Sequence, residues 1–433
     1  MAGALVVATL LVLVLAGAAA VVIWRPAIDP VERPQAGNFA ADRVEQGRRV
    51  AAGGNCTVCH TADGGLPNAG GRAMHTPFGT IYTTNITPDP DTGIGAWSYA
   101  AFERSMRHGV ARDGTHLYPA FPYTAFTHLH ADDMQALYAY LMTQPAHRYE
   151  PPQNRLPFPL NLRPLLAGWK LLFLDRDALA ADGARSESWN RGHYLARAVA
   201  HCSACHSPRN VLGAEKGGSD YLAGGESEGW QAPPLNGAWS APIPWTEDAL
   251  FDYLRHGFSR YHGAATGAMA EVVRDGTSQI DAADTRALAV YIASFGQTGG
   301  TQDNAKLAAE IQATTYDQWR PAASPGARLF GGACAACHHA GEGQKMYGVR
   351  PELWLSTRLH LEQPDNLIHI ILDGVQQPAH PDLGFMPGFR HALSDTQIAE
   401  LGSFLRTRFA GKPDWADLEQ AVARIRAGRE STK

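Results

Sequence analysis

A chain of 433 residues has room for two to four domains of roughly 100–200 residues each. Only 18% of its residues are charged, below the ~25% usual for soluble globular chains, and 44 Gly with 28 Pro imply extensive loop. Thirty-seven basic residues against forty-two acidic ones leave a net charge of −5. That excludes the uniform positive field a polynucleotide binder needs, so no nucleic-acid partner is expected.

In chain order, residues 2–24 carry no charge, Arg25 is the first charged residue, and Trp24 sits where an interfacial aromatic would. The run matches the ~20 apolar residues of a spanning helix and predicts an N-terminal transmembrane helix within residues 1–28. The alternative is a cleaved signal peptide, with Leu5–Leu15 as its apolar region and Ala16-Gly17-Ala18 as its cleavage site. The run continues six residues past that site, which favours a retained anchor. No Lys or Arg precedes it, so the positive-inside rule gives an inside N-terminus no support; the cysteine chemistry overrules that rule.

All six cysteines fall in pairs, each followed at once by histidine: Cys56/Cys59/His60, Cys202/Cys205/His206 and Cys334/Cys337/His338. C-x-x-C-H is the haem c attachment signature. Two thiols one helical turn apart add across the porphyrin vinyl groups, and the adjacent His ligates iron. A disulfide scaffold would not need the histidines. A zinc site would need its four ligands together, yet these pairs lie more than 130 residues apart. A thioredoxin-like motif does not come in triplicate. Three covalently bound haem c groups are expected, and because such attachment occurs outside the bacterial cytoplasm, the bulk of the chain is expected to be exported.

A repeat accompanies the motifs. Each begins with a helical stretch (Gly47-x-x-Val50, Gly192-x-x-Leu195, Gly326-x-x-Leu329). After the motif comes a second helix ending in Gly109, Gly257 or Gly374, and twelve residues beyond each Gly stand Phe121, Met269 and Met386. A third helix closes each unit, through Leu137–Leu141, Leu288–Ile292 and Leu401–Leu405. The expected architecture is mainly α: three tandem class I cytochrome c-like domains plus the N-terminal transmembrane helix. Their expected limits are 40–145, 186–297 and 318–412, separated by a linker with an apolar helix (146–185) and a second linker (298–317), with a tail over 413–433.

A His/Met pair of axial ligands favours Fe(II) and raises the potential. Met269 and Met386 are the expected sixth ligands opposite His206 and His338, while His60 faces the loop of Phe121, whose ring cannot ligate iron. The first haem therefore takes another ligand, such as His108, His116, His128, His130, Met74 or Met142, or stays open. Met106 reads as core. Pro164–Leu174 is too short to span a bilayer and reads as a buried helix or a docking surface; Asp414–Arg429 reads as a solvated amphipathic helix.

The three motifs, with Phe78-Gly-Thr-Ile-Tyr-Thr-Thr-Asn-Ile-Thr-Pro88, Gly109–Gly114 and Leu117–Ala120, resemble the tri-haem cytochrome c subunits of membrane-bound periplasmic dehydrogenases. The resemblance covers most of residues 45–410. It implies an electron-transfer subunit on the periplasmic side of the inner membrane, paired with the catalytic subunit of a molybdopterin hydroxylase or a flavin or quinone dehydrogenase. Electrons would leave to ubiquinone or a terminal oxidase. Phe121 departs from the family, whose alcohol-dehydrogenase branch usually has Met there; together with the N-terminal anchor and Leu162–Lys170 it leans the resemblance toward the molybdenum-hydroxylase branch. No G-x-G-x-x-G opening a helix after a strand marks a substrate dehydrogenase. The rival class is a haem enzyme, peroxidase-like, or a small-ligand sensor using an open first haem.

Overall fold

Helices dominate the described residues, joined by three two-stranded antiparallel hairpins. The computed structural model describes residues 21–237, 239–296, 303–317, 324–338 and 352–430, with isolated positions between 3 and 17. The chain divides into two compact units, Met1–Ala181 with Arg197–His201, and Asp182–Ala196 with Cys202–Lys433.

The first unit holds α1 (Ala41–Gly53), the turn α2 (Cys56–Cys59), the hairpin β1 (Ala73–Thr76) and β2 (Gly79–Tyr82), α3 (Tyr99–His108), α4 (Tyr123–Phe126), α5 (Ala131–Thr143) and α6 (Leu165–Phe173). Helices α1 and α5 cross at Gly47, where a Cβ would lie 1.9 Å from the Ala136 carbonyl oxygen and 2.7 Å from Tyr140 Cβ. Only hydrogen fits, so the glycine sets how closely the two backbones approach. Helix α3 starts at Ser98, whose side chain accepts from the Ala101 N–H, and stops at Gly109, left-handed at φ 56°. Its Phe102 and Met106 are buried, as a core reading of Met106 requires.

Within the stretch expected as the first linker (146–185), the chain pairs with the hairpin. Arg155 and Thr80 exchange backbone hydrogen bonds of 2.8 and 3.0 Å, and Asn154 Oδ1 accepts from the Tyr82 N–H. Helix α6 buries Ala167 and Lys170 and leaves Leu165, Leu171 and Leu172 exposed. Lys170 Nζ donates to the His108 and Gly109 carbonyls at 2.9 Å each. It thus caps the negative C-terminal end of α3. Burial pulls its pKa down to about 7, helped by Arg25 and Arg176.

The expected N-terminal transmembrane helix is corrected: among the described residues no helix is long and apolar enough to cross a membrane. Much of 1–20 lies outside the described residues. Ile23 and Ile28, at and just beyond the end of the apolar run, are hydrogen-bonded to the loop after α3. The Ile23 carbonyl accepts from His116 Nε2 at 2.8 Å, and Ile28 N–H donates to the Arg112 carbonyl.

The second unit shows the C-x-x-C-H turn and its flanking helices twice, with hairpins described only in the first of the two. It contains α7 (Glu187–Tyr194), α8 (Ser203–His206), the hairpin β3 (Gly225–Ser227) and β4 (Trp230–Ala232), α9 (Glu247–His256), the short pair β5 (Phe258–Ser259) and β6 (Gly263–Ala264), α10 (Ala268–Glu271) and α11 (Ala282–Ala293). Helix α12 (Asn304–Asp317) occupies part of the stretch expected as the second linker. Then follow α13 (Pro325–Ala333), α14 (Ala335–His338), α15 (Thr357–His360), α16 (Asp365–Asp373), α17 (Asp395–Leu405) and α18 (Leu418–Glu430). The glycine crossing recurs: a Cβ on Gly192 would meet the Ala287 oxygen at 2.0 Å, and one on Gly326 the Glu400 oxygen at 2.1 Å. Helix α18, expected as a solvated tail, packs Leu418, Val422 and Ile425 into a core with Leu367, Ile371 and Leu401.

Candidate haem-attachment sites

Each motif closes one helical turn, with the histidine N–H donating to the carbonyl of the first cysteine. The bond is 2.9 Å at His60, His206 and His338 alike. A helical turn sets the two thiols side by side with the histidine next to them, as two thioether links and one axial nitrogen demand. Two arginines absent from the sequence-based expectation hold the turns. Arg72 Nη1 donates to the Val58 carbonyl at 3.0 Å and Arg209 Nη2 to the Ala204 carbonyl at 2.7 Å, in both cases the second spacer residue.

The histidine tautomer is fixed in the first two sites. Nδ1 of His60 lies 2.6 Å from the Thr84 carbonyl, and Nδ1 of His206 lies 2.7 Å from that of Pro233. A carbonyl only accepts, so Nδ1 carries the proton and Nε2 keeps its lone pair for a metal. Desolvation pulls both imidazole pKa values below the ordinary one, outweighing the opposing carbonyl bond, so both rings are neutral at pH 7. Burial and the neighbouring cysteine push the thiols of Cys56 and Cys202 up to about 12 and that of Cys334 up to about 11, so the first cysteine of each pair carries no thiolate character. That setting does not suit a redox dithiol or a thiolate metal site. Among the described residues no group of three or more His, Cys, Asp or Glu could hold a metal ion. The donor set fits haem c, which when bound supplies reversible one-electron exchange.

In the loop after the second helix of the block, the interval of twelve has a structural basis. After the glycine that ends α3, the Leu117 N–H returns to the Gly109 carbonyl at 2.8 Å. After α9, the Ala265 N–H returns to the Gly257 carbonyl at 2.8 Å. Phe121 and Met269 each lie four residues beyond that return, in the same place of their loops. Phe121 packs edge-on against Tyr123 and at a tilt against Phe126, with ring centroids 6.3 and 5.5 Å away. Met269 lies in α10 against Ala265, Ala270, Val273 and Ala379. Met386 exchanges backbone hydrogen bonds with Val375 at 2.9 and 3.1 Å.

The other donors named for the first site are scattered. Met142 is buried within α5 and Met74 pairs with Ile81 in the hairpin. His108 and His130 are exposed at helix ends, and His116 is committed through Nε2 to Ile23. His128 is partly buried after α4, and burial holds its pKa down. Nothing in the sequence marked the Thr84 and Pro233 carbonyls, because a backbone acceptor carries no residue identity.

Two family models match. Residues 44–145 match cytochrome c, and residues 321–405 match cytochrome c oxidase, cbb3-type, subunit III. Among curated proteins the chain is 52% identical over 406 residues to a nicotinate dehydrogenase subunit of Pseudomonas putida, covering 93% of this chain and 33% of that protein. The chain thus spans about a third of that relative's length. It is 38% identical over 384 residues to the gluconate 2-dehydrogenase cytochrome c subunit of Pantoea cypripedii, covering 84% of this chain and 85% of the relative. It is 34% identical over 406 residues to the fructose dehydrogenase cytochrome subunit of Gluconobacter japonicus, with coverages of 89% and 83%.

Proposed function

This chain belongs to the cytochrome c subunits of dehydrogenase complexes, and from that premise we propose that it relays single electrons through three haem c groups, from a dehydrogenase partner to ubiquinone or a terminal oxidase. It is an electron-transfer subunit, not a catalytic one. The observation that carries the count of three is the threefold build: a C-x-x-C-H turn followed downstream by a helix crossing against Gly47, Gly192 or Gly326. Site by site, Cys56, Cys59 and His60, Cys202, Cys205 and His206, and Cys334, Cys337 and His338 hold the groups, with Met269 and Met386 as sixth ligands of the second and third. The higher identity to the nicotinate dehydrogenase relative supports a partner of the molybdopterin hydroxylase class over a flavin or quinone dehydrogenase. Covalent haem attachment supports placement on the periplasmic side of the inner membrane.

A pyridine haemochrome assay of the purified chain is expected to give three groups per molecule; fewer would overturn the count. In the intact complex, adding the partner's substrate should reduce every haem, and a ubiquinone analogue should reoxidise them. One observation keeps a second reading in play: Phe121 stands where the second block has Met269. If carbon monoxide binds rapidly to one haem of the dithionite-reduced chain, the first site is open and ligand-binding chemistry there gains support. Three unresponsive low-spin haems support the relay alone.

A further inference from the structure

The loop that carries Met269 is held by residues of the third block, not only by its own. Arg358 in α15 donates through Nη2 to the Ala264 carbonyl at 2.6 Å and to Thr266 Oγ1 at 2.7 Å, immediately before Gly267. Gly267, at φ 57°, lies so close to the Trp230 indole that a Cβ there would approach the ring to 2.3 Å. Trp230 stacks on His369 of α16, centroids 4.8 Å apart and planes 24° from parallel. The hairpin bearing Trp230 is itself clamped to α16. Asn366 Oδ1 accepts from the Gln231 N–H and its Nδ2 donates to the Gln231 carbonyl, both at 2.8 Å, while His369 Nε2 donates to the Gly229 carbonyl at 3.1 Å. Ala379 closes the remaining side, packed with Ala265, Ala270 and Met269 and against Gly257.

We infer that Arg358 and the Trp230–His369 stack are positioning residues for the sixth ligand of the second haem, so that the third block sets the ligation, and with it the potential, of its neighbour. This rests on the reading of Met269 as that ligand. A thioether is a weak ligand on a flexible side chain, so its occupancy of iron depends on how firmly its loop is preorganised. Here the loop is fixed at 264, 266 and 267 by groups from α15 and by the α16-backed hairpin. That hairpin runs directly on to Pro233, whose carbonyl fixes the His206 tautomer. His206 and the Met269 loop are thereby both tied to one element that α16 buttresses. A detached Met would leave the iron less biased toward Fe(II) and lower its potential.

The test is proton NMR of the fully reduced, haem-loaded chain, in which each Met-ligated haem shows its own ring-current-shifted methyl line far upfield of all other signals. Met269→Leu identifies the line of the second haem; if no line disappears, the ligand reading fails, independently of the inference. In Arg358→Gln and Trp230→Leu that same line is expected to disappear or broaden, and spectroelectrochemistry should show one haem shifted to lower potential. The line of the third haem and the haemochrome count stay at wild-type values. Trp230→Phe, which keeps a stacking ring, should restore the line. Thr266→Val removes a single hydroxyl acceptor without disturbing the core, so it reports even where the larger changes impair folding, and a smaller downward shift is expected. An unchanged second-haem line and potential in Arg358→Gln, or in Thr266→Val where Arg358→Gln does not fold, overturns the inference. So does loss of both lines together.

Discussion

The first and second cysteine blocks are alike on the histidine side and different on the other. Both fix Nδ1 of the histidine on a backbone carbonyl, at 2.6 and 2.7 Å, and both bring an arginine to the second spacer carbonyl. Both close on a glycine crossing, where a Cβ would come within 1.9 and 2.0 Å of a carbonyl oxygen. In the loop after the second helix, however, the first block has Phe121 backed by Tyr123 and Phe126, and the second has Met269 on a loop gripped by Arg358. The helix ends differ too: Gly109 is backed by the Tyr123 ring with Lys170 capping its carbonyl, whereas Gly257 is backed by Ala379. The C-x-x-C-H turn and its supports are thus the shared part of these two blocks, and the loop of Phe121 or Met269 is where they differ.

The largest effect expected is at the shared crossing. Gly47→Val and Gly192→Val should each destabilise the chain by about 3 kcal/mol or more, because the facing group is a helix backbone that cannot yield. Chemical denaturation of the two variants should give losses of similar size, and tolerance of either would break the likeness of the blocks. Next is the exchange across the sites. Met269→Phe should abolish the second Met–haem signature, and Phe121→Met should create a third in the optical and NMR spectra of the holoprotein. No new signature in Phe121→Met would mean that the two loops are not equivalent.

A smaller effect separates the helix ends. Lys170 titrates near 7 in the fold against 10.5 ordinarily, so between those pH values the unfolded chain binds the extra proton and wild-type stability climbs with pH. In Lys170→Met that climb is lost, and the variant's relative stability is greatest below neutrality; melting curves from pH ~6 to ~9 check the slope. The smallest effect tests the likeness again. Ser98→Ala and Thr246→Ala remove equivalent helix N-caps and should each cost about 1 kcal/mol by urea titration.

Much of this arrangement was legible in the residues. C-x-x-C-H needs three groups within one turn, so contiguous sequence contains the whole constellation. Gly109 and Gly257 end their helices because the left-handed stop suits glycine, a purely local rule. The glycines at 47, 192 and 326 were visible as a repeat, though not what they faced. The segment around Lys170 was harder to read. A stretch apolar on every side has no periodicity to name its inner face, and the structure turned the lysine inward and left Leu171 and Leu172 outside. The N-terminal run was read from hydropathy, which measures apolar length alone; among the described residues no helix is long and apolar enough to cross a membrane, and no sequence signal announced that the Ile23 carbonyl would accept from His116.

By itself the sequence determined that thiol pairs and a histidine would be presented together three times, and that the helices around them would repeat, because helical spacing and glycine stops act over a few residues. Only the tertiary structure decided which carbonyls lock His60 and His206, that Lys170 caps α3, and that Arg358 reaches the Met269 loop from nearly a hundred residues away. Those contacts join distant backbone atoms, which look the same in every residue, and only the folded path of the chain makes them neighbours.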